Sequence, residues 1–242
     1  MRDQNTGAAG FRASLLAALN PLLAAEFIPK LTYFDSRGSG EVIRLMMEET
    51  GTFFNERRLH IDEWPVFKSN FIFAQLPAYE EGDVFLNDAD EIYRHLAHKL
   101  NLFGDTSADK VVCDLAHKML ATAQRELFDL YLDPAFADSR SEFEKTELVV
   151  TLQQLEKLYA SNPSSSGFWV GEKISYIDIF AWDYLDSVRP LAPRILDQFQ
   201  TLAQFKLAFE NRPNIYAYLN SNRRPATLML SLSLFGGTPE TS

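Results

Sequence analysis

Cysteine is almost absent from this sequence: Cys113 is the only one among 242 residues. A single thiol cannot form a disulfide within the chain, so a reducing compartment, the cytoplasm, is the expected location. Metal-ligand patterns are lacking as well. His95 and His98 are spaced to share one helical face, but no cysteine or clear carboxylate partner completes a tetrahedral site, so we expect no metal.

Basic residues and long hydrophobic runs are also scarce. Lysine and arginine together number 23 against 33 acidic residues, which gives a net charge of −10, and no basic stripe is interleaved with aromatic residues. Because such a surface repels a phosphate backbone, we expect no nucleic acid partner. No apolar run is long and uninterrupted enough to cross a bilayer, so we expect no transmembrane segment.

Residues 1–28 differ from the rest of the chain because they are rich in alanine and leucine. The stretch carries arginines, as transit peptides do, but it also contains acidic residues and a proline. We interpret it as an N-terminal extension with a short helix from about Phe11. Targeting to an organelle is the alternative.

Residues 29–104 have the pattern of an α/β unit. A short strand ends near Tyr33, and Ser39 is suited to cap a helix that Gly51 ends. The segment "FFNERRLHI" predicts a second strand, parallel to the first if the helix is a right-handed crossover. Two further short strands are joined by a hairpin at Gly82, and "DADEIYRHLAHKL" predicts a closing helix.

Residues 105–242 are predicted to be helical throughout, with an apolar tail, "LMLSLSLFGG". The segments "ADKVVCDLAHKMLATAQRELFDLYL" and "SEFEKTELVVTLQQLEKLYA" each read as one helix. Ser175 and Asp178 have the Ser-x-x-acid spacing of a helix cap. The last helices are predicted at about 198–209 and 213–222.

Four segments occur together in this order: "LTYFDSRGSGEVIRL", "EWPVFK", "QLP" and "SYIDIF". With them, the chain from about residue 29 to 224 resembles the cytosolic glutathione transferases that use a tyrosine, nearest to the sigma group and near the mu and pi groups. The resemblance implies an α/β thioredoxin-like N-terminal domain followed by an all-α helical-bundle C-terminal domain.

The resemblance gives Tyr33 a role, because in this family the tyrosine near the end of the first strand points its hydroxyl at the sulfur of glutathione. The thiolate is the nucleophile, and a free thiol is only about 3% ionised at neutral pH. A hydrogen bond to the anion contributes about 1.5 to 3 kcal/mol, or roughly one to two pKa units. The local sequence alone favours an ordinary strand aromatic with its hydroxyl at the surface, and only the resemblance reverses this interpretation.

The resemblance also implies which residues bind glutathione. Leu76 and Pro77 match the family's cis peptide, whose main chain pairs with the cysteinyl part of the tripeptide. Gln75 is expected to hold the γ-glutamyl part, and Trp64 and Lys68 the glycyl carboxylate. Without the family, these residues read as an ordinary proline turn, a loop aromatic and a solvated charge.

Three further positions are assigned by the same resemblance. Arg37 is expected to support the charge balance beside the site, although a turn arginine at the surface is the plain alternative. Where the family has Gln or Glu followed by Ser, this chain has Asp88 and Ala89, so one hydroxyl contact with the γ-glutamyl carboxylate is lost. Asp114 lies where many relatives carry an acid that reaches glutathione across a dimer interface.

The implied activity is transfer of the glutathione thiolate to small apolar electrophiles, as in detoxification, by a cytoplasmic homodimer. Glutathione is then a co-substrate, and the second substrate is a small hydrophobic electrophile. The apolar pocket has four candidates by position: Phe34, Phe128, Tyr131 and Phe235. A glutathione-dependent isomerase and a noncatalytic binding or scaffold protein, which Ala89 favours, are the alternatives.

Overall fold

The computed structural model describes residues 27–71, 73–230, 233, 235, 237 and 238. The helix predicted from about Phe11 lies outside the described residues, as do four residues of the predicted apolar tail, at positions 231, 232, 234 and 236.

The first domain is a four-stranded sheet with helices. Its elements are β1 (Lys30–Phe34), α1 (Gly40–Glu49), β2 (Asn55–Leu59), α2 (Trp64–Phe67), β3 (Ala78–Glu81), β4 (Val84–Leu86) and α3 (Ala89–Lys99). The strand order is β2-β1-β3-β4; β1 and β2 are parallel, and β3 is antiparallel to both β1 and β4. The predicted crossover and hairpin are therefore confirmed.

The second domain consists of helices. They are α4 (Ser107–Leu132), α5 (Phe136–Lys145), α6 (Glu147–Ala160), α7 (Tyr176–Val188), α8 (Gln200–Glu210) and α9 (Pro213–Leu219). In the described part of the chain, no helix is long and apolar enough to cross a membrane.

One helix boundary was predicted incorrectly, because the segment read as a single helix forms α5 and α6. Thr146 separates them with φ −110° and ψ −85°, outside the helical region. Its hydroxyl donates to the carbonyl of Glu142 at 2.8 Å and so completes the last turn of α5. A β-branched residue that can bond the preceding turn favours such a break, which the hydrophobic spacing does not reveal.

Ser39 precedes α1 as predicted, but its side chain makes no capping hydrogen bond. Its backbone is already helical, with φ −67° and ψ −9°, whereas a capping side chain usually needs an extended backbone. The helix ends as predicted, and Gly51 follows it with φ +66°.

Helix α7 joins the two domains, since it packs against both α4 and α1. All of its residues are buried, including three aspartates: Asp178, Asp183 and Asp186. Asp178 caps the helix as predicted: its carboxylate accepts the N–H of Ser175 at 2.8 Å and that of Trp169 at 3.0 Å. The core is one continuous cluster through both domains.

We predict that Asp178→Ala lowers the free energy of unfolding by about 2 to 4 kcal/mol, because it leaves two buried N–H groups without an acceptor. Urea unfolding at constant protein concentration measures this. Asp197→Ala, which removes an exposed aspartate, is the matched control and should change stability by less than about 0.5 kcal/mol. Equal effects of the two substitutions would contradict the role of the cap.

Candidate functional site

Tyr33 stands near the end of β1, and its hydroxyl reaches the turn that precedes α1. The N–H of Ser39 donates to Tyr33 Oη at 3.1 Å, and the hydroxyl of Tyr93 donates to the carbonyl of Ser39 at 2.7 Å. The Ser39 backbone is thus held between two tyrosines. Because Tyr33 Oη accepts the bond from Ser39, its own proton is left to donate to another group.

The two glycines beside Ser39 let the chain pass close to the Tyr33 ring. A Cβ at Gly38 would lie 2.5 Å from Tyr33 Oη, and a Cβ at Gly40 would lie 2.6 Å from the ring. Gly38 also has φ +37°, which side chains disfavour. The turn therefore requires glycine at both positions if Tyr33 is to keep this orientation.

The Tyr33 hydroxyl stays protonated at neutral pH. Burial raises the pKa of Tyr33, and the Ser39 N–H together with the nearby charge of Arg44 offsets only part of that effect. The Arg44 guanidinium lies 5.8 Å from the centre of the Tyr33 ring. A neutral phenol beside a fixed positive charge suits a hydrogen-bond donor to an anion rather than a general base.

Arg37 is buried and takes part in a network of ion pairs between the domains. We call this network, made of Arg37, Glu41, Arg44, Asp186 and Arg224, the interdomain ion network. Arg37 Nη1 lies 3.2 Å from Asp186. Arg224 bridges Glu41 at 2.8 Å and Asp186 at 2.7 Å, and Arg44 bonds Glu41 at 3.1 Å.

The network also fixes the turn next to Tyr33. Arg44 Nη1 donates to the carbonyls of Ser36 at 3.1 Å and Arg37 at 3.3 Å. The backbone N–H of Arg37 donates to the carbonyl of Thr227 at 2.9 Å. Arg37 is therefore buried in ion pairs that hold the turn, and not a surface arginine, which was the alternative. Its role in the charge balance of a glutathione site stays a prediction.

The segment before β3 contains Leu76 and Pro77, which the resemblance predicts to pair with glutathione through the main chain. The Leu76–Pro77 peptide is cis, as predicted, and Pro77 is buried. The neighbouring Gln75 is exposed, and its amide donates to the carbonyl of Asn87 at 2.8 Å and to Asp88 at 3.2 Å. Gln75 is thereby tied to the beginning of α3.

Asp88 and Ala89 form the N-terminus of α3. The carboxylate of Asp88 accepts the N–H of Glu91 at 3.2 Å, so it caps the helix. Ala89, the first helical residue, is partly exposed and faces the cleft between the domains. The helix N-terminus offers partial positive charge to an anion, but Ala89 offers no hydroxyl.

Trp64 and Lys68 lie on and after α2. The Trp64 ring contacts Phe34, which follows Tyr33, with ring centres 5.7 Å apart, and it stacks on Phe71 at 5.9 Å. Lys68 is exposed and makes no ion pair with any residue that the structure describes. Trp64 is thus connected through Phe34 to the end of β1 and the turn from Tyr33 to Gly40, which we call the Tyr33 corner. The Lys68 ammonium is available to bind a ligand.

A cleft of about 190 Å³ lies between the two domains beside Ser39. Its lining residues come from the turn before α1, from α3 and from α4, and include Ser39, Ala89, Asp90, Tyr93, Gln124 and Phe128. At one side, the Asp90 carboxylate lies 3.3 Å from the buried His117, and this contact lowers the pKa of Asp90. Gln124 donates to the buried Asp183 at 2.9 Å. The cleft can admit a small molecule within reach of the Tyr33 corner.

Comparison with known proteins agrees with this geometry. The model for the glutathione S-transferase C-terminal domain matches residues 106–222. A glutathione S-transferase of Dirofilaria immitis is 33% identical over 202 residues, which cover 81% of this chain and 95% of that protein. Glutathione S-transferase Mu 1 of Mus musculus is 29% identical over 211 residues, covering 83% and 94%. The chain belongs to the glutathione S-transferase family.

The fold also matches those of solved glutathione S-transferase structures. The pi-class glutathione S-transferase of Onchocerca volvulus superposes with a TM-score of 0.79 at 28% identity, covering 85% of this chain and 99% of that one. The glutathione S-transferase of Ascaris lumbricoides gives a TM-score of 0.74 at 28% identity, covering 84% and 100%. The predicted family and fold class are confirmed.

Among the residues predicted from the glutathione S-transferase resemblance, Asp114 lies away from the cleft of this chain. It is on α4, seven residues before the nearest α4 residue of the cleft, Ala121, which corresponds to about 10 Å of helix. Its carboxylate pairs with Arg94. The predicted contact with glutathione across a dimer interface stays a prediction.

The four aromatic candidates for the apolar pocket separate into two pairs. Phe128 lines the cleft, and Phe34 packs on Tyr33 with ring centres 5.7 Å apart. Tyr131 is fully buried, and its hydroxyl donates to the carbonyl of Ser187 at 2.7 Å. Phe235 stacks on Phe136 at 4.8 Å. Tyr131 and Phe235 are therefore packing residues of the helical domain.

Tyr93, Gln124 and the acidic members of the interdomain ion network were not predicted from the sequence. One signal was present, since "YIDIFAWDYLDSV" places three aspartates in an otherwise apolar helix. Buried acids require partners, so Asp183 and Asp186 indicated polar contacts inside the protein. The partners of these aspartates could not be predicted from the local residue spacing.

The pKa of Asp186 gives a test of the network. Burial alone would raise this pKa, but Arg224 and Lys206 outweigh burial and lower it to about 2. Since the folded-state pKa lies below the unfolded value, Asp186 stabilises the protein above about pH 4, and its contribution is lost as the pH falls toward 2. A shift of this size corresponds to about 2 kcal/mol.

We therefore predict that Asp186→Asn lowers the free energy of urea unfolding by at least about 2 kcal/mol at pH 7. This difference in stability from the natural protein should become smaller from pH 4 toward pH 2. Asp197→Asn, at an exposed ion pair, should be as stable as the natural protein at each of these pH values. A stability difference for Asp186→Asn that does not depend on pH would be inconsistent with the charged network.

Proposed function

We propose that this protein transfers the sulfur of glutathione to small apolar electrophiles, with Tyr33 donating a hydrogen bond to the thiolate. The observation that carries the proposal is the bond from the Ser39 N–H to Tyr33 Oη at 3.1 Å. This bond aims the phenol and strengthens it as a donor, because donors and acceptors in a chain polarise one another. The same arrangement serves a glutathione-dependent isomerase, so the electrophile decides between these reactions.

The proposed reaction needs no general base in the protein. The bound thiol releases its proton to solvent, because the hydrogen bond from Tyr33 and the nearby charge of Arg44 stabilise the anion. The thiolate then forms a carbon–sulfur bond with the electrophile, whose leaving group departs with the bonding electrons, or whose double bond takes them up. Tyr33 remains protonated throughout.

We assign the binding of glutathione to residues around this corner. The main chain of Leu76, before Pro77, pairs with the cysteinyl part, and the exposed Gln75 and Asp88 contact the γ-glutamyl part. Trp64 and Lys68 reach the glycyl carboxylate. The Lys68 ammonium, which has no ion pair within the described part of the chain, and the contact of Trp64 with Phe34 beside Tyr33 support this assignment. Phe34 and Phe128 offer apolar surface to the electrophile.

Replacing Tyr33 tests the proposal. In Tyr33→Phe the bound thiol should have a pKa about one to two units higher than in the natural protein, since one hydrogen bond to the anion is lost. The ultraviolet absorbance of bound thiolate, followed against pH, measures this pKa. At neutral pH, kcat/KM with 1-chloro-2,4-dinitrobenzene should fall about tenfold or more.

Tyr216→Phe, at an exposed tyrosine, is the control and should change neither value. If the bound thiol has an ordinary pKa, and the same pKa in the natural protein and in Tyr33→Phe, the catalytic proposal is contradicted. It would favour the noncatalytic binding role instead.

Because Ala89 lacks a hydroxyl at the N-terminus of α3, we predict that replacing it by serine increases the affinity for glutathione. Ala89→Ser should bind glutathione about tenfold more tightly, because a hydroxyl at the N-terminus of α3 adds one hydrogen bond to the γ-glutamyl carboxylate. Isothermal titration calorimetry measures the dissociation constant. Ala135→Ser, before α5, should have no effect. An unchanged constant in Ala89→Ser would show that the carboxylate binds elsewhere.

We also propose that the protein is a cytoplasmic homodimer that acts in detoxification. Phe73 is 66% exposed on the first domain, and a cleft between α4 and α6 is partly apolar, with Met119, Val150 and Leu155 in its lining. An exposed aromatic and a partly apolar cleft on different domains suit a twofold interface, which uses each contact twice. The buried and single Cys113 suits a reducing compartment.

Sedimentation equilibrium tests the dimer. The natural protein should sediment at twice the mass of the chain, and Phe73→Glu should weaken association at least tenfold because it places a charge in an apolar contact. Leu207→Glu, at another exposed apolar residue, should leave the mass unchanged. A natural protein that sediments as a monomer at micromolar concentration would refute the dimer.

A further inference from the structure

We propose that this protein selects thiols with a positive charge at the γ-glutamyl end, because Asp90 and Gln124 bind the ammonium of that end while its carboxylate is held only weakly. The inference rests on the proposed function, since it places the tripeptide beside Tyr33. The observations that carry it are the charges and the unpaired hydrogen-bond acceptors of the cleft of about 190 Å³ between the domains.

This cleft borders the Tyr33 corner. Ser39 is in its lining, and the N–H of Ser39 donates to Tyr33 Oη at 3.1 Å. Ala89 and Asp90, the first two residues of α3, are in the lining as well. A tripeptide whose sulfur meets Tyr33 and whose cysteinyl part pairs with Leu76 therefore has its γ-glutamyl end at this cleft.

The Asp90 carboxylate is only partly used by the protein. Its side chain is 47% exposed, and Oδ1 lies 3.3 Å from Nε2 of the buried His117. The other carboxylate oxygen has no hydrogen-bond or ion-pair partner among the described residues. The contact with His117 lowers the pKa of Asp90, so this group is charged at neutral pH. A charged carboxylate with a free oxygen in a cleft is suited to bind an ammonium.

Gln124 supplies a second acceptor, from the helical domain. It is only 6% exposed, and its Nε2 donates to Asp183 at 2.9 Å. Its Oε1 has no hydrogen-bond donor among the residues that the structure describes, and Gln124 lies in the lining of the cleft. Since the amide nitrogen is engaged by Asp183, the amide group can only accept a hydrogen bond from a ligand. An ammonium satisfies this oxygen, whereas a carboxylate does not.

The beginning of α3 is unfavourable to a carboxylate. Asp88, Asp90 and Glu91 place three acidic side chains at this end of the helix. Their charges oppose the partial positive charge of the helix dipole. The N–H of Glu91 is already bonded to Asp88 at 3.2 Å, and Ala89 has no hydroxyl. A γ-glutamyl carboxylate at this place therefore meets like charges and gains no side-chain donor from Ala89.

The remaining charges of the lining do not reverse this preference. Arg125 is the basic residue of the lining, and it is exposed. Asp90 and Asp129 also line the cleft, so the acidic residues outnumber the basic one. Arg125 helps to lower the pKa of Asp90, but less than His117 does. The lining as a whole is negative and attracts a cation.

Calorimetric titration of the full chain with S-hexylglutathione and two analogues tests the inference. In the deamino analogue, hydrogen replaces the γ-glutamyl amino group; in the amide analogue, a carboxamide replaces the γ-glutamyl carboxylate. The dissociation constant should rise about tenfold or more for the deamino analogue and less than about threefold for the amide analogue, because only the first loses a charge-assisted contact.

Asp90→Asn tests the residue itself. The change is nearly isosteric at a half-exposed side chain, so the variant keeps the fold. It should weaken S-hexylglutathione about tenfold and leave the affinity for the deamino analogue unchanged, since Asp90 binds the group that this analogue lacks. Asp197→Asn, at an exposed aspartate outside the lining, is the matched control and should change neither affinity. Arg125→Gln should not weaken S-hexylglutathione.

The outcomes separate this inference from the proposed function. If the natural protein binds S-hexylglutathione and the deamino analogue equally well, the inference is overturned and the proposed function stands. The same holds if Asp90→Asn weakens both of these ligands equally, or if Arg125→Gln weakens S-hexylglutathione as much as Asp90→Asn does. If the natural protein does not bind S-hexylglutathione at all, both are overturned.

Discussion

The buried pairing of Glu41 on α1 with Arg224 after α9 is the interaction on which the arrangement of the site depends. Arg224 also bonds Asp186 on α7, so one guanidinium connects both domains and the chain beyond the last helix. Buried ion pairs contribute little net stability, but removing one partner is costly. Their effect here is on geometry: they fix where α1 begins relative to α7.

The position of α1 determines the chemistry at Tyr33. Because α1 starts at a fixed place, the Ser39 N–H meets the Tyr33 hydroxyl, and Gly38 and Gly40 leave room for the ring. Burial keeps the phenol protonated, and Arg44 places a positive charge near it. A donor held in this way does not have to reorganise when a sulfur anion appears, which is how preorganised sites stabilise charge.

Much of the local structure could be predicted from the sequence, including the strand, turn and helix around Tyr33. Turn residues such as Gly51 and Gly82 and the cap at Asp178 act over a few residues, so their signals are local. The cis Leu76–Pro77 peptide, in contrast, was implied by the family resemblance. The break at Thr146 was not predicted, because hydrophobic spacing continues across it. Long-range ion pairs could not be predicted from the sequence either, since Arg37 and Asp186 are 149 residues apart in the chain. Such pairs arise only when the domains pack together.

The crystal structure of the protein with bound glutathione tests the central claim most directly. The account predicts that the sulfur lies within hydrogen-bond distance of Tyr33 Oη, while Ser39 still donates to the same oxygen and Arg37 stays paired with Asp186. A tripeptide whose sulfur lies away from Tyr33, or a Tyr33 hydroxyl turned out of the cleft, would contradict it.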